Sequence, residues 1–424
     1  MTGGASPADR EGVSRLDARD ALAPFRDAFV HGDEGRIYLD GNSLGRLPRA
    51  TRERLQQAVD EEWGRELIAS WGRGWFDAPR RIGERLAPLV GAAPGQVAFS
   101  DSTTVNLFKL AGAALQASGR RRVVTDAMNF PSDIYTLQSV VRTVGGGARL
   151  DVVPSPEEDV APDMERLLGG IDEDTALVAL SHVTFKSGYL HDAEAVAARA
   201  REVGAWVLWD LSHSVGAVPV RLDAWGAALA VGCSYKYLNG GPGAPAFLYV
   251  RRELQERLRS PLEGWFGRAR PFGFDLDFQP AEGVQRFLVG TPPMLSLLAV
   301  EAGLEPLLQA GMARVRAKSE ALTALLVERF DARLAPLGFR LGTPREPARR
   351  GSHVSLRHPD GYRITRALLD AGVVPDFREP DGIRFGLSPL YTRFVDVYDA
   401  VERLAGIMER GDHRRYDAAR SAVT

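Results

Sequence analysis

The sequence predicts an α/β protein with a mostly parallel central sheet covered by helices on both faces, followed by a small α+β domain. Between about residues 96 and 250, short apolar runs alternate with amphipathic stretches of helical length. This alternation is typical of βαβ units, whose strands are buried on both faces. After residue 296, long helical stretches precede a mixture of short strands and helices. Ligands of parallel sheets bind at the carboxyl ends of the strands, so we expect the functional site there.

The predicted elements can be given in chain order. The strand-like runs of the large region are QVAFS, RRVVTDAM, ALVALSHV, AWVLWDL, ALAVGCS and PAFLYV, with helices from about Thr104 and over AEAVAARAREVG. Helical periodicity then covers residues 296–338. The last part contains the strand-like runs GFRLG, HVSLRH and GIRFGLSP, and helices from Tyr362 to Ala371 and from Phe394 to Glu409.

Three parts are predicted along the chain. Residues 1–50 are loop-rich and end in DGNSLGRLP, whose Gly, Asn and Pro residues are typical of a turn. We expect this segment to pack with the small domain. Residues 51–300 would form the large domain that binds the cofactor, and residues 301–424 the linking helices and the C-terminal small α+β domain.

Composition argues against several classes of protein. The net charge is -2 and no basic block is interleaved with aromatic residues, so a nucleic-acid partner is not expected. Charges interrupt the apolar runs before they reach membrane-spanning length, and the N-terminal residues lack an apolar signal region. The single cysteine, Cys233, fits a reducing cytoplasm. Histidine spacing offers no metal motif, and no phosphate-binding glycine motif of nucleotide enzymes is present.

Lysine is rare in this chain. Of the 53 basic residues, the lysines are Lys109, Lys186, Lys236 and Lys318. Because arginine cannot act as an amine nucleophile, any Schiff-base chemistry must use one of these four. Lys318 is predicted on a solvated helix face, and Lys109 as a side chain whose ammonium reaches water. Lys236 is favoured over Lys186 because it follows the apolar run ALAVGCS and precedes the loop YLNGGPG.

Polar residues at predicted strand and helix ends suit the cofactor that such a lysine carries, pyridoxal phosphate. Asp210 ends an apolar strand, where an unpaired carboxylate is costly to bury, and it could pair with the ring nitrogen of the cofactor. His213 lies three residues later and could contact the same ring. Thr103 and Thr104 begin a helix, where hydroxyls and free amides favour a phosphate, although a simple helix cap would use the same residues.

An aromatic residue is a candidate for packing on the cofactor ring. Phe130 follows the strand-like run RRVVTDAM in the sequence NFPSD, and Asp133 lies in the same loop. A single phenylalanine is usually a core residue. Its place at the carboxyl end of a strand favours the role of a stacking partner here.

These motifs together resemble kynureninase, a family of fold type I pyridoxal phosphate enzymes related to aspartate aminotransferase. The similarity extends through most of the chain: YLDGNSLGRLP, DSTTVNL, NFPSDIY, WDLSHSVGAVPV, GCSYKYLNGGPG, GWFGR, GTPP and IRFGLSPLY. SYKYLNGGPG together with GWFG is specific to it, whereas the pattern DxxH is shared with related families.

The resemblance implies a role for each candidate residue. Lys236 would carry the cofactor and move protons, Asp210 would pair with the ring nitrogen, and Phe130 would stack on the ring. The rest of the cofactor pocket would comprise Thr103, Thr104, Asp133, Ser181, His213 and Tyr235, with Tyr235 also catalytic and Trp265 and Thr291 reaching in from the second subunit of a homodimer. The substrate would contact Ser43, Trp71, Thr291 and Arg384, with Arg384 binding its α-carboxylate.

The implied reaction is the hydrolytic cleavage of L-kynurenine into anthranilate and L-alanine in tryptophan degradation. Enzymes selective for 3-hydroxykynurenine place His and Asn where this chain has Trp71 and Thr291, so that substrate is expected to be poorer. One alternative is a cysteine desulfurase or lyase of the same fold type, which would need a cysteine on a mobile loop, whereas Cys233 lies in an apolar strand. The other is a non-catalytic binding protein, which would be expected to lack Lys236 or Asp210.

Overall fold

A computed structural model describes residues 9–32, 35–156 and 159–417. The ends of the predicted first and last parts, residues 1–8 and 418–424, lie outside these ranges. The strands are β1 (Ile37–Tyr38), β2 (Val97–Phe99), β3 (Arg122–Asp126), β4 (Arg149–Val153), β5 (Thr175–Ser181), β6 (Trp206–Asp210), β7 (Leu229–Gly232), β8 (Phe247–Val250), β9 (Arg340–Leu341), β10 (His353–Arg357), β11 (Val373–Val374), β12 (Asp376–Arg378) and β13 (Gly382–Gly386). The α-helices are α1 (Arg10–Asp17), α2 (Arg49–Gln57), α3 (Ala78–Leu86), α4 (Thr103–Ser118), α5 (Pro131–Val144), α6 (Met164–Gly169), α7 (Ala193–Val203), α8 (Leu222–Trp225), α9 (Arg252–Gln255), α10 (Met294–Ala310), α11 (Met312–Arg329), α12 (Gly361–Asp370) and α13 (Phe394–Arg410).

The large sheet has seven strands in the order β2-β8-β7-β6-β5-β3-β4. β8 runs antiparallel to both of its neighbours, whereas the other pairs are parallel. The predicted fold class is therefore confirmed. β4 was not predicted, because this edge strand has a half-exposed sequence, RLDVV, rather than an apolar run.

The central strands are apolar on both sides because helices cover both faces. Along β6, Leu208 packs into one hydrophobic core and its neighbour Trp209 into the other. The core on the Leu208 side receives residues of α4 and α5, and the core on the Trp209 side receives residues of α3, α7 and α10. Because helices cover both faces of the sheet, the carboxyl ends of the strands are where a ligand can reach it.

The small sheet is antiparallel, with the order β12-β13-β10-β9, and shares a core with α11, α12 and α13. Part of the first 50 residues lies against this unit. α1 packs on α13, and the Asp17 carboxylate accepts hydrogen bonds from the backbone amides of Phe394 and Val395 at 2.7 and 3.0 Å. β1 pairs with β11. None of the helices in the described part of the chain is long and apolar enough to cross a membrane.

The prediction that Lys318 is a solvated surface residue is wrong. Its side chain is 6% exposed, and its ammonium forms an ion pair with Asp20 at 2.6 Å. Burial lowers the pKa of Lys318, while the hydrogen bond and charge of Asp20 oppose that shift. The charged sequence ARVRAKSEAL predicts a solvated helix face. The contact could not be read from it, because the partner, Asp20, comes from a distant segment of the chain.

Candidate active site

Lys236 lies just after β7, at the carboxyl edge of the large sheet. Its Nζ is 2.9 Å from Nε2 of His213, which lies in the turn that follows β6, and 5.9 Å from the centre of the Tyr235 ring. Two adjacent parallel strands therefore bring these three predicted residues together. Lys186 instead has a 41% exposed side chain and lies 3.6 Å from Asp159, so its amine is engaged in a surface ion pair.

His213 is a neutral imidazole in this environment. Burial, followed by the nearby charge of Lys236, lowers the pKa of His213 well below its usual value. A neutral ring can accept a hydrogen bond from the lysine at Nε2. Its ring centre lies 5.4 Å from that of His353, a β10 residue that the sequence analysis did not identify. Burial lowers the pKa of His353 as well.

Two buried carboxylates lie close to Lys236. Asp210 ends β6 and accepts hydrogen bonds from the backbone amide and hydroxyl of Ser212 at 2.9 and 2.6 Å. Asp133 lies in the first turn of α5 and is 3% exposed. Burial raises the pKa of Asp133 well above its usual value, and the charge of Asp210 adds to the shift while that of Lys236 opposes it. Two buried carboxyl groups, those of Asp133 and Asp210, therefore lie beside the single amine of Lys236.

A hydrogen-bonded amide organises the loop between β3 and α5. Ser181, the last residue of β5, donates from Oγ to Oδ1 of Asn129 at 2.6 Å, and the amide of Phe130 donates to the same oxygen at 2.8 Å. Asn129 also donates to Thr125 at 3.0 Å. Asn129 was not predicted as a site residue, although it begins the motif NFPSD. Phe130 is 42% exposed and contacts the Phe185 ring edge-on, with 5.2 Å between centroids.

The starts of α4 and α5 lie side by side. Thr103 is the first residue of α4, after the N-cap Ser102, and Thr104 Oγ1 is 3.3 Å from Oγ of Ser132 in the first turn of α5. Both helix dipoles place partial positive charge at these ends, so the location favours an anion.

The prediction that the Lys109 ammonium reaches water is wrong. Its side chain is completely buried, and the ammonium forms an ion pair with Asp101 at 2.6 Å. It also donates to the carbonyl of Phe287 at 2.7 Å. The apolar residues around Lys109 in the helix gave no sign of an acidic partner, because Asp101 lies in the turn before the helix.

These features fit pyridoxal phosphate. Among the described residues, the buried Nδ1 of His213 has no hydrogen-bond partner. Two acidic side chains, Asp133 and Asp210, lie beside a single lysine, Lys236. An exposed aromatic ring, Phe130, and two helix N-termini complete the set. A flat group with a cationic ring nitrogen, polar ring substituents and a phosphate would satisfy each of them.

Arg384 lies on β13 and is buried in a polar cluster. It forms a short ion pair with Asp376, and it donates to the carbonyl of Phe185 at 2.5 Å and to Oγ of Ser43 at 3.2 Å. The structure thus brings Ser43 and Arg384 together, as two predicted substrate contacts require. Asp376 was not identified from the sequence, although its position opposite Arg384 in the β12–β13 pairing reveals it.

A second acid lies near this cluster. Burial raises the pKa of Asp40 to about 6, and the charge of Asp376 adds to the shift. Arg378 lies 2.9 Å from the other carboxylate oxygen of Asp376, Oδ1.

The other predicted residues lie in an aromatic region. The Trp71 ring is 5.8 Å from that of Trp75 and 6.3 Å from that of Phe266, which also contacts Trp265 at 5.0 Å. Trp265 is 36% exposed, and Thr291 is exposed just before α10. Within the described residues, no hydrogen bond or ring contact joins Trp71, Trp265 or Thr291 to Lys236 or Arg384.

Comparison with known proteins identifies the family. A family model described as the kynureninase C-terminal domain matches residues 315–404. The kynureninase of Pseudomonas fluorescens is 48% identical over 401 residues, which cover 93% of this chain and 94% of the relative. That of Burkholderia pseudomallei (strain 1106a) is 46% identical over 422 residues, covering 98% and 99%. The chain belongs to the kynureninase family. This finding confirms the predicted family, and with it the predictions of a hydrolytic enzyme and of its cofactor.

Solved structures resemble this kynureninase-family chain in fold. A cysteine desulfurase from Thermococcus onnurineus NA1 has a TM-score of 0.76 at 19% identity, covering 88% of this chain and 95% of that one. The desulfurase CsdA from Escherichia coli has a TM-score of 0.78 at 19% identity, covering 92% and 98%. A C-DES mutant with glycine covalently linked to its PLP cofactor has a TM-score of 0.75 at 18% identity, covering 88% and 97%.

The desulfurase alternative finds no support in Cys233. This residue is buried immediately after β7, and burial raises the pKa of its thiol. A buried, protonated thiol is a poor nucleophile.

Proposed function

We propose that the chain hydrolyses L-kynurenine to anthranilate and L-alanine, with pyridoxal phosphate held covalently by Lys236. The observation that carries the proposal is the position of the Lys236 amine, at the carboxyl edge of the sheet, 2.9 Å from the neutral His213 and beside two buried carboxylates. This arrangement occurs in a chain that is 46–48% identical to kynureninases over nearly its full length.

The chain's residues would hold the cofactor from three sides. Asp210 would pair with its ring nitrogen, because the carboxylate is buried and fixed by two hydrogen bonds from Ser212. Asp133, His213 and Ser181 would line the ring edge, and the exposed ring of Phe130 would stack on its face. The phosphate would bind at Thr103 and Thr104 and close to Tyr235, with Trp265 and Thr291 completing the pocket.

When bound, pyridoxal phosphate supplies an electron sink for the bonds that break in the substrate. The Lys236 amine would accept the proton from the substrate Cα, a role that its short distance from His213 supports. The nearby Cys233, followed by burial, raises the pKa of the Tyr235 phenol, so this hydroxyl stays protonated and can act as a proton donor. The net reaction breaks the Cβ–Cγ bond. The oxygen of water enters the carboxyl group of anthranilate, and Cβ of alanine gains a proton.

Arg384 would bind the substrate α-carboxylate together with Ser43. A planar guanidinium can hold a carboxylate through two parallel hydrogen bonds. In the structure, Nε and Nη2 of Arg384 both donate to a single oxygen of Asp376, Oδ2. The substrate would share or replace this internal carboxylate. Trp71 would contribute an apolar surface to the aniline ring, which makes 3-hydroxykynurenine the poorer substrate.

We further propose a cytoplasmic homodimer in which Trp265 and Thr291 of each subunit reach the other's site. Exposed apolar side chains that follow Trp265 support an interface in this region: Phe272 is 66% exposed and Phe274 78%. The single, buried cysteine fits a reducing compartment. The contacts of α1 and β1 with α13 and β11 support the proposed three-part division, with the first 50 residues joined to the small domain.

A direct assay tests the activity. Purified protein with pyridoxal phosphate and L-kynurenine should form fluorescent anthranilate and an equal amount of alanine. Release of sulfur or alanine from cysteine without anthranilate formation would contradict the proposal. Mixing inactive Lys236→Ala and inactive Thr291→Trp subunits should restore activity if sites are shared, whereas no recovery in a proven mixed dimer would contradict the shared site.

A further inference from the structure

Lys109 is a buried cation that the proposed reaction does not use. Its side chain is completely buried, although removing an ammonium from water is costly and an ion pair rarely compensates for that cost in full. Burial lowers its pKa, and the charge of Asp101 opposes the shift. All three of its donors have partners: Asp101 Oδ2 at 2.6 Å, the Phe287 carbonyl at 2.7 Å and Ser100 Oγ at 3.3 Å.

The turn that Lys109 holds leads directly into the start of α4. Asp101 has φ of +47°, a left-handed conformation that is costly for residues other than glycine and is tolerated best by Asn and Asp. The backbone around it is tied to the end of the large sheet, because Ser100 donates to the carbonyl of Ala246 at 2.9 Å and Ala246 donates to that of Asp101 at 2.8 Å. This reversal of the chain at Asp101 directs the next residues into the helix.

Three further contacts fix the same turn from the helix side. Asn106 donates from its side chain to the carbonyl of Ser100 at 2.6 Å and from its backbone to that of Ser102 at 2.9 Å. Ser100 Oγ donates to the Asp101 carboxylate at 2.5 Å. Lys109 is the cation in this network. It also donates to the Phe287 carbonyl, in the segment that leads to Thr291.

We propose that Lys109 is a positioning residue that, through Asp101, holds the turn before α4 in the shape that binds the cofactor phosphate at Thr103 and Thr104. The inference rests on the proposed function, because it concerns the same cofactor. Lys109 itself touches neither the cofactor nor the substrate. Lys109 keeps the strained turn at Asp101 ordered before the phosphate binds, so that phosphate binding does not have to order this turn.

Pyridoxal, which lacks the phosphate, distinguishes positioning from general stability. We expect Lys109→Met to raise the dissociation constant of pyridoxal phosphate about 10- to 100-fold, as the loss of a buried charged partner predicts. Its dissociation constant for pyridoxal should change by less than about twofold, within the usual scatter of such effects. Absorbance titration of the cofactor-free protein with each compound measures both constants.

Lys318→Met is the matched control. Lys318 is also a buried lysine, in an ion pair of the same 2.6 Å length with Asp20, but it lies in α11 and not beside the turn before α4. This variant should lose comparable stability and bind both compounds as the unaltered protein does. If Lys109→Met does not fold, the double variant with Asp101→Asn replaces it in the test. Asparagine removes the acid that Lys109→Met leaves unpaired, and it tolerates the positive φ at this position.

Each outcome decides between the possibilities. Selective weakening of pyridoxal phosphate binding in either Lys109 variant supports the inference. Unchanged affinity for pyridoxal phosphate, equal losses for both compounds, or the same selectivity in Lys318→Met overturns it while leaving the proposed function intact. If the unaltered protein binds neither compound at Lys236, the proposed function itself fails.

Discussion

The two ends of the candidate site differ in how their charges are balanced. At the cofactor end, the buried acids Asp133 and Asp210 have Lys236 as their nearby cation, because the adjacent histidine is neutral. At the substrate end, the buried Arg384 is already matched by the buried carboxylate of Asp376. At the first end, burial and the charge of Asp210 raise the pKa of Asp133, so the two acids share a proton instead of having a second cation, whereas Arg384 at the second end already has a carboxylate partner.

This difference predicts different responses to ligands. A protonated ring nitrogen at the first end would face the Asp210 carboxylate without displacing an internal cation, so binding there is favoured by charge. A substrate carboxylate at the second end must compete with an internal one, so part of its interaction with Arg384 replaces an existing contact. Substitutions at the first end should therefore mainly affect turnover, and those at the second end mainly substrate affinity.

The largest effect is expected for Lys236→Ala. Removing both the covalent anchor and the proposed base should lower kcat by about 10⁴-fold or more. Borohydride reduction of the unaltered protein with its cofactor, followed by peptide mapping, should place the reduced cofactor on Lys236. Lys186→Ala is the matched control and should keep near-normal turnover. Reduced cofactor on Lys186 would reverse the assignment.

Asp210→Ala should have the next largest effect, about 10³-fold on kcat, because a fixed charge that stabilises the ring nitrogen is lost. Steady-state kinetics at saturating cofactor measure it. Asp133→Asn is the comparison: burial raises the pKa of Asp133 and so already favours its neutral form, and replacing this carboxyl with a neutral amide should cost much less. Near-normal turnover of Asp210→Ala, or a larger loss in Asp133→Asn, would show that the two acids have the opposite roles.

The cofactor end was more predictable from sequence than the substrate end. Asp210 ends an apolar strand, and Lys236 and His213 each follow one. The parallel pairing of β6 with β7 places such residues side by side. Asp376 and the acidic partner of Lys109 could not be found in this way. Asp376 contacts Arg384 across an antiparallel pair of strands, and the register of that pair depends on the hairpin that joins them. Asp101 reaches Lys109 because the chain makes a left-handed turn at Asp101. Local patterns encode strands and their ends, but not these tertiary pairings.

Arg384→Ala tests the substrate end. Loss of a buried, bidentate charged contact typically costs about 2–5 kcal/mol, a factor of a few hundred at the middle of that range. The effect should appear in KM for kynurenine, while the absorbance spectrum of the bound cofactor stays unchanged. Unaltered substrate affinity would exclude this contact.

Asp376→Asn provides the opposite test at the same place. It removes the competing carboxylate and keeps the side chain's size, so KM for kynurenine should fall while the folded state loses stability from an unpaired Arg384. A higher KM in this variant would mean that Asp376 orients Arg384 rather than competing with the substrate.

The smallest effect concerns the choice between kynurenine and 3-hydroxykynurenine. Trp71 packs edge-on against Trp75 and contacts Phe266, so the region around it is a broad aromatic surface. A hydroxyl buried against such a surface loses water without gaining a full partner, at a cost of about 1–3 kcal/mol. Unmodified kynurenine should therefore be favoured by about one to two decades in kcat/KM.

Trp71→His combined with Thr291→Asn should shift that ratio toward 3-hydroxykynurenine, because both new side chains can hydrogen-bond the extra hydroxyl. Trp75→His is the matched control. The Trp75 indole already donates from Nε1 to Glu62 at 2.6 Å, so its role in holding the loop is separate from the substrate ring. Steady-state kinetics on both substrates should show a changed ratio in the double variant and an unchanged ratio in the control. Equal specificity constants in the unaltered protein would contradict the preference, and a shift caused by Trp75→His alone would place that indole, not Trp71, against the aniline ring.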